Sequence, residues 1–388
     1  MQSRLRHLAR DERGMSLLWT GIGFMAFFAA TTLAIDVGMF MTARSQAQNS
    51  ADGGALAGVT ALVFNDWDNR SAGGPAVSSA KTTAQANGVI GSAPSVLDSD
   101  VTFPVGPTGL SNRVQVNVFR TSDRSNPVAT IIGPIFGVDT VNITATATAE
   151  ASPANSVRCA KPFTIPARWD EHSVPPNEKF EKYEMSGPNK GNILSPNPDV
   201  YPPANGNIYW PVGTRMVLRA GTGNQIEASY YQSWVMPGGS LSIGGDKTRE
   251  DIAYCNKTIL TLDPNNPFYM TQEPGNKVGD IAQGVEELLL KDPNAKWDST
   301  HNRVIDSCCN PSPRVFPIPL YDPDAYQDGI THGRNATLKL VGYLPFFLDR
   351  LVGNSEVVGY VTKMVGEIDQ DAGPAPADSL VFAIRLVK

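Results

Sequence analysis

The pattern of apolar and polar positions changes three times along the chain, and each pattern predicts a different kind of element. Residues Met15–Ile35 carry no charged side chain. A helix over this stretch rises about 32 Å, enough to cross a hydrocarbon core of about 30 Å. Its polar members, Ser16, Thr20, Thr31 and Thr32, can return their hydroxyls to carbonyls one turn back, so they do not oppose insertion. A cleaved secretory signal has an apolar stretch of only about 7–15 residues. The expected element is therefore an uncleaved membrane anchor over 15–37.

From Thr42 to Phe64 the helical pattern persists without that hydrophobicity. Ala43, Ala47, Ala51 and Ala55 recur at every fourth position, and Gly54 with Gly58 forms a small-xxx-small pair. Small residues at this spacing let another backbone approach closely. Two surfaces fit such a stripe: the head of the same chain, or helices of other membrane subunits. One long helix, half in the membrane and half outside it, is expected.

After a Gly/Ser/Pro break at 71–75, a short helix is expected at Val77–Asn87, ending at Gly88. Arg113–Arg120 alternates apolar and polar residues with β-branched side chains, which predicts a half-buried strand. Val141–Ala149 alternates in the same way, Val101–Phe103 suits a third strand, and Pro127–Phe136 suits a short helix. Beyond Ser152-Pro153 prolines become frequent. Strands are expected at 215–220, 257–262, 314–320, 336–343, 357–365 and 381–387, with turn clusters at 195–207 and 237–246 between them. One helix is expected at Val278–Leu290, where Ile281, Val285, Leu288 and Leu289 share a face. The expected fold class is α+β. A cytoplasmic tail (1–14) and transmembrane helix (15–37) lead into a stalk helix with a small α+β head (38–152), then a mainly β extracytoplasmic domain with long loops (153–388).

Charge fixes the expected orientation. Residues 1–13 hold Arg4, Arg6, Arg10 and Arg13 against Asp11 and Glu12, whereas residues 36–80 hold Arg44 and Arg70 against Asp36, Asp52, Asp66 and Asp68. An excess of Arg stays cytoplasmic, so the body of the chain is expected on the periplasmic side of a bacterial inner membrane, with the lipid bilayer as a partner. The net charge of −6 and the absence of a basic cluster beyond the N-terminus argue against nucleic-acid binding. The four cysteines, Cys159, Cys255, Cys308 and Cys309, all lie in the part expected outside, where disulfides form. A bridge between the neighbours Cys308 and Cys309 closes a strained ring. The favoured pairing joins Cys255 to one of them and Cys159 to the other.

Motifs for chemistry are few. No His-Glu-x-x-His, Gly-x-Ser-x-Gly, Walker or Cys-x-x-Cys string occurs. Asp170-Glu171-His172 clusters three metal-ligating types, but neighbours in an extended chain face opposite ways. Asp322, Asp324 and Asp328 lack the spacing and terminal Glu of an EF-hand loop and are expected as solvated carboxylates in a turn. Gly238-Gly239 and Gly244-Gly245 lack the context of a phosphate cradle. Neither a cofactor nor a metal site is expected. Tyr209-Trp210, Tyr230-Tyr231 and Trp234 suit either a core or a glycan groove.

Three strings stand in order: Asp11-Glu12-Arg13-Gly14 before the apolar span, Asp36-Val37-Gly38 at its exit, and Gln46–Gly58 with Asn49-Ser50-Ala51-Asp52 inside it. Together they resemble Flp/Tad pilus-assembly proteins of the TadE/TadG type. Phe136-Gly137-Val138 followed by 141–150 is similar to the end of that family's pseudopilin-like head. The resemblance implies a non-enzymatic, single-pass assembly component of a Tad-type pilus or secretion apparatus. Its implied partners are other pilus-machinery subunits and a second copy of the chain. Prepilin-type processing favours Glu at the fifth position after the cut, where this chain has Trp19 after Gly14, so cleavage there is not expected. The Asp-x-Ser-x-Ser metal site of many TadG proteins is absent from the sequence. The alternative reading is a membrane-anchored module gripping glycan or a surface protein.

Overall fold

One helix, α1 (Glu12–Phe64), carries both the apolar run and the alanine stripe without a break. It contains no proline, and Thr20 and Thr31 donate their hydroxyls to Ser16 O and Phe27 O at 2.8 Å, as helix-inward hydroxyls do. The computed structural model describes residues 12–107, 109, 111–221, 225–238, 244–273, 275, 277–309, 311–332, 336–354 and 356–387. Arg4, Arg6, Arg10 and His7 of the basic tail, and Gly239 of the loop glycines, lie outside them. The chain divides into two units: Met1–Val59 with Arg70–Glu150 and Leu386–Lys388, and Thr60–Asn69 with Ala151–Arg385.

In the first unit α1 is followed by α2 (Pro75–Ala86), with Pro75 in the first turn, where its missing N–H costs nothing. Strand β1 (Val101–Thr102) pairs with β2 (Arg113–Arg120). Strands β3 (Val128–Ala129) and β4 (Thr140–Val141) form a small ladder. Strand β5 (Ile143–Pro153) runs antiparallel to β2 with Val114 opposite Ala149, Val116 opposite Ala147 and Val118 opposite Ala145. Val114, Val116 and Val118 are fully buried, as the alternation requires. The helix expected over 127–136 is not formed. Thr130 N–H donates to Asp139 O at 3.0 Å, which folds the segment back as the β3/β4 ladder, and only Gly133–Phe136 takes a 3₁₀ turn.

The second unit contains β6 (Ser156–Val157), β7 (Phe163–Pro166), β8 (Arg215–Ala220), β9 (Tyr230–Ser233), α3 (Gly245–Ala253), β10 (Leu260–Thr261), β11 (Tyr269–Met270) and α4 (Val278–Leu290). It continues through β12 (Lys296–Asp298), β13 (Arg303–Ile305), β14 (Val315–Tyr321), α5 (Pro323–Thr331), β15 (Leu338–Val352), β16 (Glu356–Val361), β17 (Met364–Val365) and β18 (Val381–Val387). Six strands close into a barrel in the order β15-β14-β7-β9-β8-β16, the ring being shut by the β15–β16 pairing. The long β15 permits this, because its first part pairs with β14 (Phe316 opposite Phe346) and its last part with β16 (Leu351 opposite Val357). Two pairs, β14–β7 and β8–β9, are parallel. Pro317 and Pro319 sit in β14 although proline is rare inside sheets. The Thr164 hydroxyl donates to Pro319 O at 2.7 Å, a side chain standing in for a ladder bond. A Cβ on Gly359 of β16 would lie 2.1 Å from Phe347 O, so only glycine fits that crossing.

Phe316, Ile318, Leu320, Leu344, Phe346 and Leu348 join Leu218, Val357 and Val361 in one buried cluster. Ile252 of α3 and Ile281, Val285 and Leu288 of α4 pack on the same cluster, so the α4 face expected from the sequence is the face in use. The solvated turn expected at Asp322–Asp328 is instead α5. Asp322 caps it by accepting from Ala325 N at 3.0 Å, with Pro323 in the first turn. Burial pushes the Asp322 carboxyl up. Asp324 pairs with Lys182, and Asp328 with His332 at 2.9 Å, so the three carboxylates diverge.

Candidate functional site

Two places in the molecule are built for contact. The first is α1. Along its N-terminal half the large apolar side chains face outward: Leu17 is 79% exposed, Met25 76% and Phe27 67%. A helix this apolar and this long is sufficient to cross a membrane by length and composition. From Ala43 onward the same helix supplies the core of its unit. Ala43, Ala47, Ala51 and Ala55 are fully buried. A Cβ on Gly54 would stand 2.9 Å from Ala84 Cβ and 3.0 Å from Ala80 O, and one on Gly58 2.8 Å from Val114 Cγ1. The neighbours that approach the stripe are thus α2 and β2 of the same unit. Polar contacts fix the register. Ser50 Oγ donates to Ala84 O at 2.7 Å, and Gln46 Oε1 accepts from Ile90 N at 2.7 Å.

The change of surface occurs at Asp36, which is buried. Its Oδ1 accepts from Ile131 N at 2.9 Å, and its Oδ2 accepts from Ile132 N at 3.2 Å and Gly133 N at 2.8 Å. Three successive backbone donors on one carboxylate hold the segment after β3 against the helix, a stronger arrangement than neutral acceptors would give. From the sequence Asp36 counts as a flanking charge and as part of the Asp36-Val37-Gly38 string. Its partners are almost a hundred residues away, so no local signal marks this role.

The second place is a cleft of about 810 Å³ in the barrel unit, lined among others by Arg168, Trp169, Glu171, Trp210 and Arg215. Arg219, also at the cleft, is held by Glu356 at 2.9 Å. Trp169 and Trp210 meet edge to face with centroids 6.4 Å apart. Trp210 Nε1 and Glu171 Oε1 are buried and find no hydrogen-bond partner among the described residues. Asp170, Glu171 and His172 all border the cleft but bond apart: Asp170 Oδ2 accepts from Ala204 N at 2.7 Å, and the His172 ring lies 2.9 Å from Pro198 O. Of the aromatics singled out from the sequence, Tyr209, Tyr231 and Trp234 are core residues and Trp210 reaches the cleft. Trp169, which follows β7, has no period-2 signal around it and is legible only in the fold.

The cysteines pair differently from the expected connectivity. Cys159 is bonded to Cys255, with Cα atoms 4.4 Å apart, and Cys308 to its neighbour Cys309. The cause is local. Cys159 N–H donates to Asn256 O at 3.0 Å, laying the turn after β6 beside the end of α3. Cys308 N–H is held by Asp292 Oδ1 at 3.0 Å, at the end of α4. Asp292 also accepts from Ser307 and Ser312 hydroxyls at 2.6 Å each. Burial would raise its carboxyl, but these hydrogen bonds outweigh that and hold it below the usual range.

Nearby, Lys161 is buried and donates to Ile252 O at 2.6 Å and Tyr254 O at 3.0 Å, capping the end of α3. Desolvation, reinforced by the charge of Lys291 and opposed by Asp251, lowers its ammonium to about 7.

Compared with known proteins, residues 14–61 match a family model described as "Putative Flp pilus-assembly TadE/G-like". The match covers the apolar run and the alanine stripe of α1 and does not reach residues 151–385. No curated protein and no solved structure matches the chain. The Tad-like domain supports a role related to Flp pilus assembly.

Proposed function

We propose, from the match at residues 14–61, that the protein is a non-enzymatic, single-pass inner-membrane component of a Tad-type pilus or a related secretion apparatus. The carrying observation is one unbroken helix whose exposed apolar half suits lipid and whose second half is the core of a head unit. Such a helix transmits the position of the head directly to the membrane. The Arg-rich tail supports a cytoplasmic N-terminus, with both units outside. Its work would be assembly, with partners among the pilus-machinery subunits and a second copy of the chain. A reporter fused after Lys388 tests the orientation. Activity only outside the cytoplasm is expected, and activity inside would reverse it.

A second reading is favoured by the cleft. Tryptophan, arginine and carboxylate side chains beside an orphaned indole N–H and an orphaned carboxylate oxygen suit a saccharide, whose ring faces stack on aromatic rings and whose hydroxyls pair with the polar groups. On that reading the barrel unit grips envelope glycan while α1 anchors it.

A further inference from the structure

Pro127–Val138 carries no charged side chain, and four of its large apolar residues are turned outward while Val128 is buried. Ile131 is 64% exposed, Ile135 79%, Phe136 66% and Val138 48%. Four large apolar groups on one short turn are more than chance exposure, and an exposed patch of this kind marks a contact surface. Asp36 fixes the depth at which they lie. It is the first charged residue after the apolar run of α1, and its carboxylate holds the backbone N–H groups of Ile131, Ile132 and Gly133 directly. The turn is therefore within one side chain's length of the point where α1 leaves the bilayer. We infer that the 131–138 turn is a second membrane element, lying in the headgroup boundary beside the anchor, with the lipid surface as its occupant. This inference rests on reading α1 as a bilayer anchor.

Three features favour lipid over a protein partner. The patch is continuous in depth with the lipid-facing half of α1, it has no charge to specify a protein surface, and its residues are those that partition into an interface. With one element spanning and one lying in the surface, the head cannot swing about the anchor, so Asp36 is a positioning residue for the head.

The test uses the full chain in phosphatidylcholine/phosphatidylglycerol vesicles, with an environment-sensitive fluorophore attached at Phe136→Cys or, separately, at Met25→Cys. Quenching of the Met25→Cys label by lipid spin-labelled deep in the chain establishes the anchor. The inference expects the Phe136→Cys label to be blue-shifted and quenched by lipid spin-labelled near the headgroup. In Asp36→Ala that quenching should fall while the Met25→Cys signal stays. A quenched Met25→Cys label beside a Phe136→Cys label reached by aqueous iodide would overturn the inference and leave the anchor standing. A Phe136→Cys label shielded from both quenchers would assign the turn to a protein surface instead. Absence of quenching at Met25→Cys would defeat the anchor and the inference together.

Discussion

Replacing Gly58 by alanine sets two effects of known sign against each other, and the structure decides between them. In a helix interior alanine is favoured over glycine by about 0.8–1.0 kcal/mol. The new methyl, however, would stand 2.8 Å from Val114 Cγ1 and 3.1 Å from Ala80 Cβ. Val114 cannot retreat, because it is fully buried and its strand is paired opposite Ala149. Overpacking of this kind costs about 1–3 kcal/mol. The net expectation is a loss of up to about 2 kcal/mol. Gly38, on the same helix, has nothing within 4 Å of its Cβ position, so Gly38→Ala should gain the propensity term alone. Gly54→Ala, meeting Ala84 Cβ at 2.9 Å and the backbone at Ala80 O, should behave like Gly58→Ala. Pulse proteolysis of the detergent-solubilised chain across a urea series reads these differences. If Gly58→Ala and Gly38→Ala shifted together toward greater resistance, the seam between α1, α2 and β2 would not be close-packed and the reasoning would fail.

Other outcomes follow from the barrel unit. Folded Lys161 titrates near 7 and an unfolded lysine near 10.4, so between those values the unfolded chain binds the extra proton and stability rises with pH. Above about 10 the trend should reverse, because burial raises Tyr209 and pushes Tyr231 up to about 12. Urea midpoints at pH 6, 8 and 10 check the first limb and one at about pH 11 the second, and Lys161→Met should flatten the first; a pH-independent wild type would contradict it. Removing the Cys159–Cys255 bridge as the double serine variant should cost about 2–5 kcal/mol, given the long loop it closes. Unchanged stability of the double serine variant would show that the bridge does not brace the unit. On the glycan reading, Trp210→Ala and Arg168→Ala should each abolish binding of an envelope polysaccharide measured by calorimetry, and unchanged binding would remove the cleft from consideration.

How much the sequence could show depends on where each signal is stored. Strand β2 and helix α4 match their expected bounds residue for residue, because one face of each is buried and the period is undisturbed. Strands β7 and β9 escape notice: each is four residues long and they pair with each other in the barrel, so no alternation develops. Helix α3 lies where turn glycines cluster, and its burial comes from α4 and Lys161 rather than from its own weak pattern. The alanine stripe is plain in the sequence, but the surface it meets depends on α2 and β2, which the spacing of alanines does not encode. Asp36 is the sharpest case. A carboxylate at the end of an apolar run reads as a flank charge and part of a short string until the fold brings three backbone donors to it.

The proposed place in a Tad-type apparatus is tested most directly by affinity purification of the tagged full chain from gently solubilised membranes, with the bound material identified by mass spectrometry. The account predicts that pilus-machinery subunits co-purify and are lost when residues 15–35, which lie outside the core of the head unit, are exchanged for an unrelated apolar span. Recovery of cell-wall fragments alone, or of the same subunits with the unrelated anchor, would contradict it.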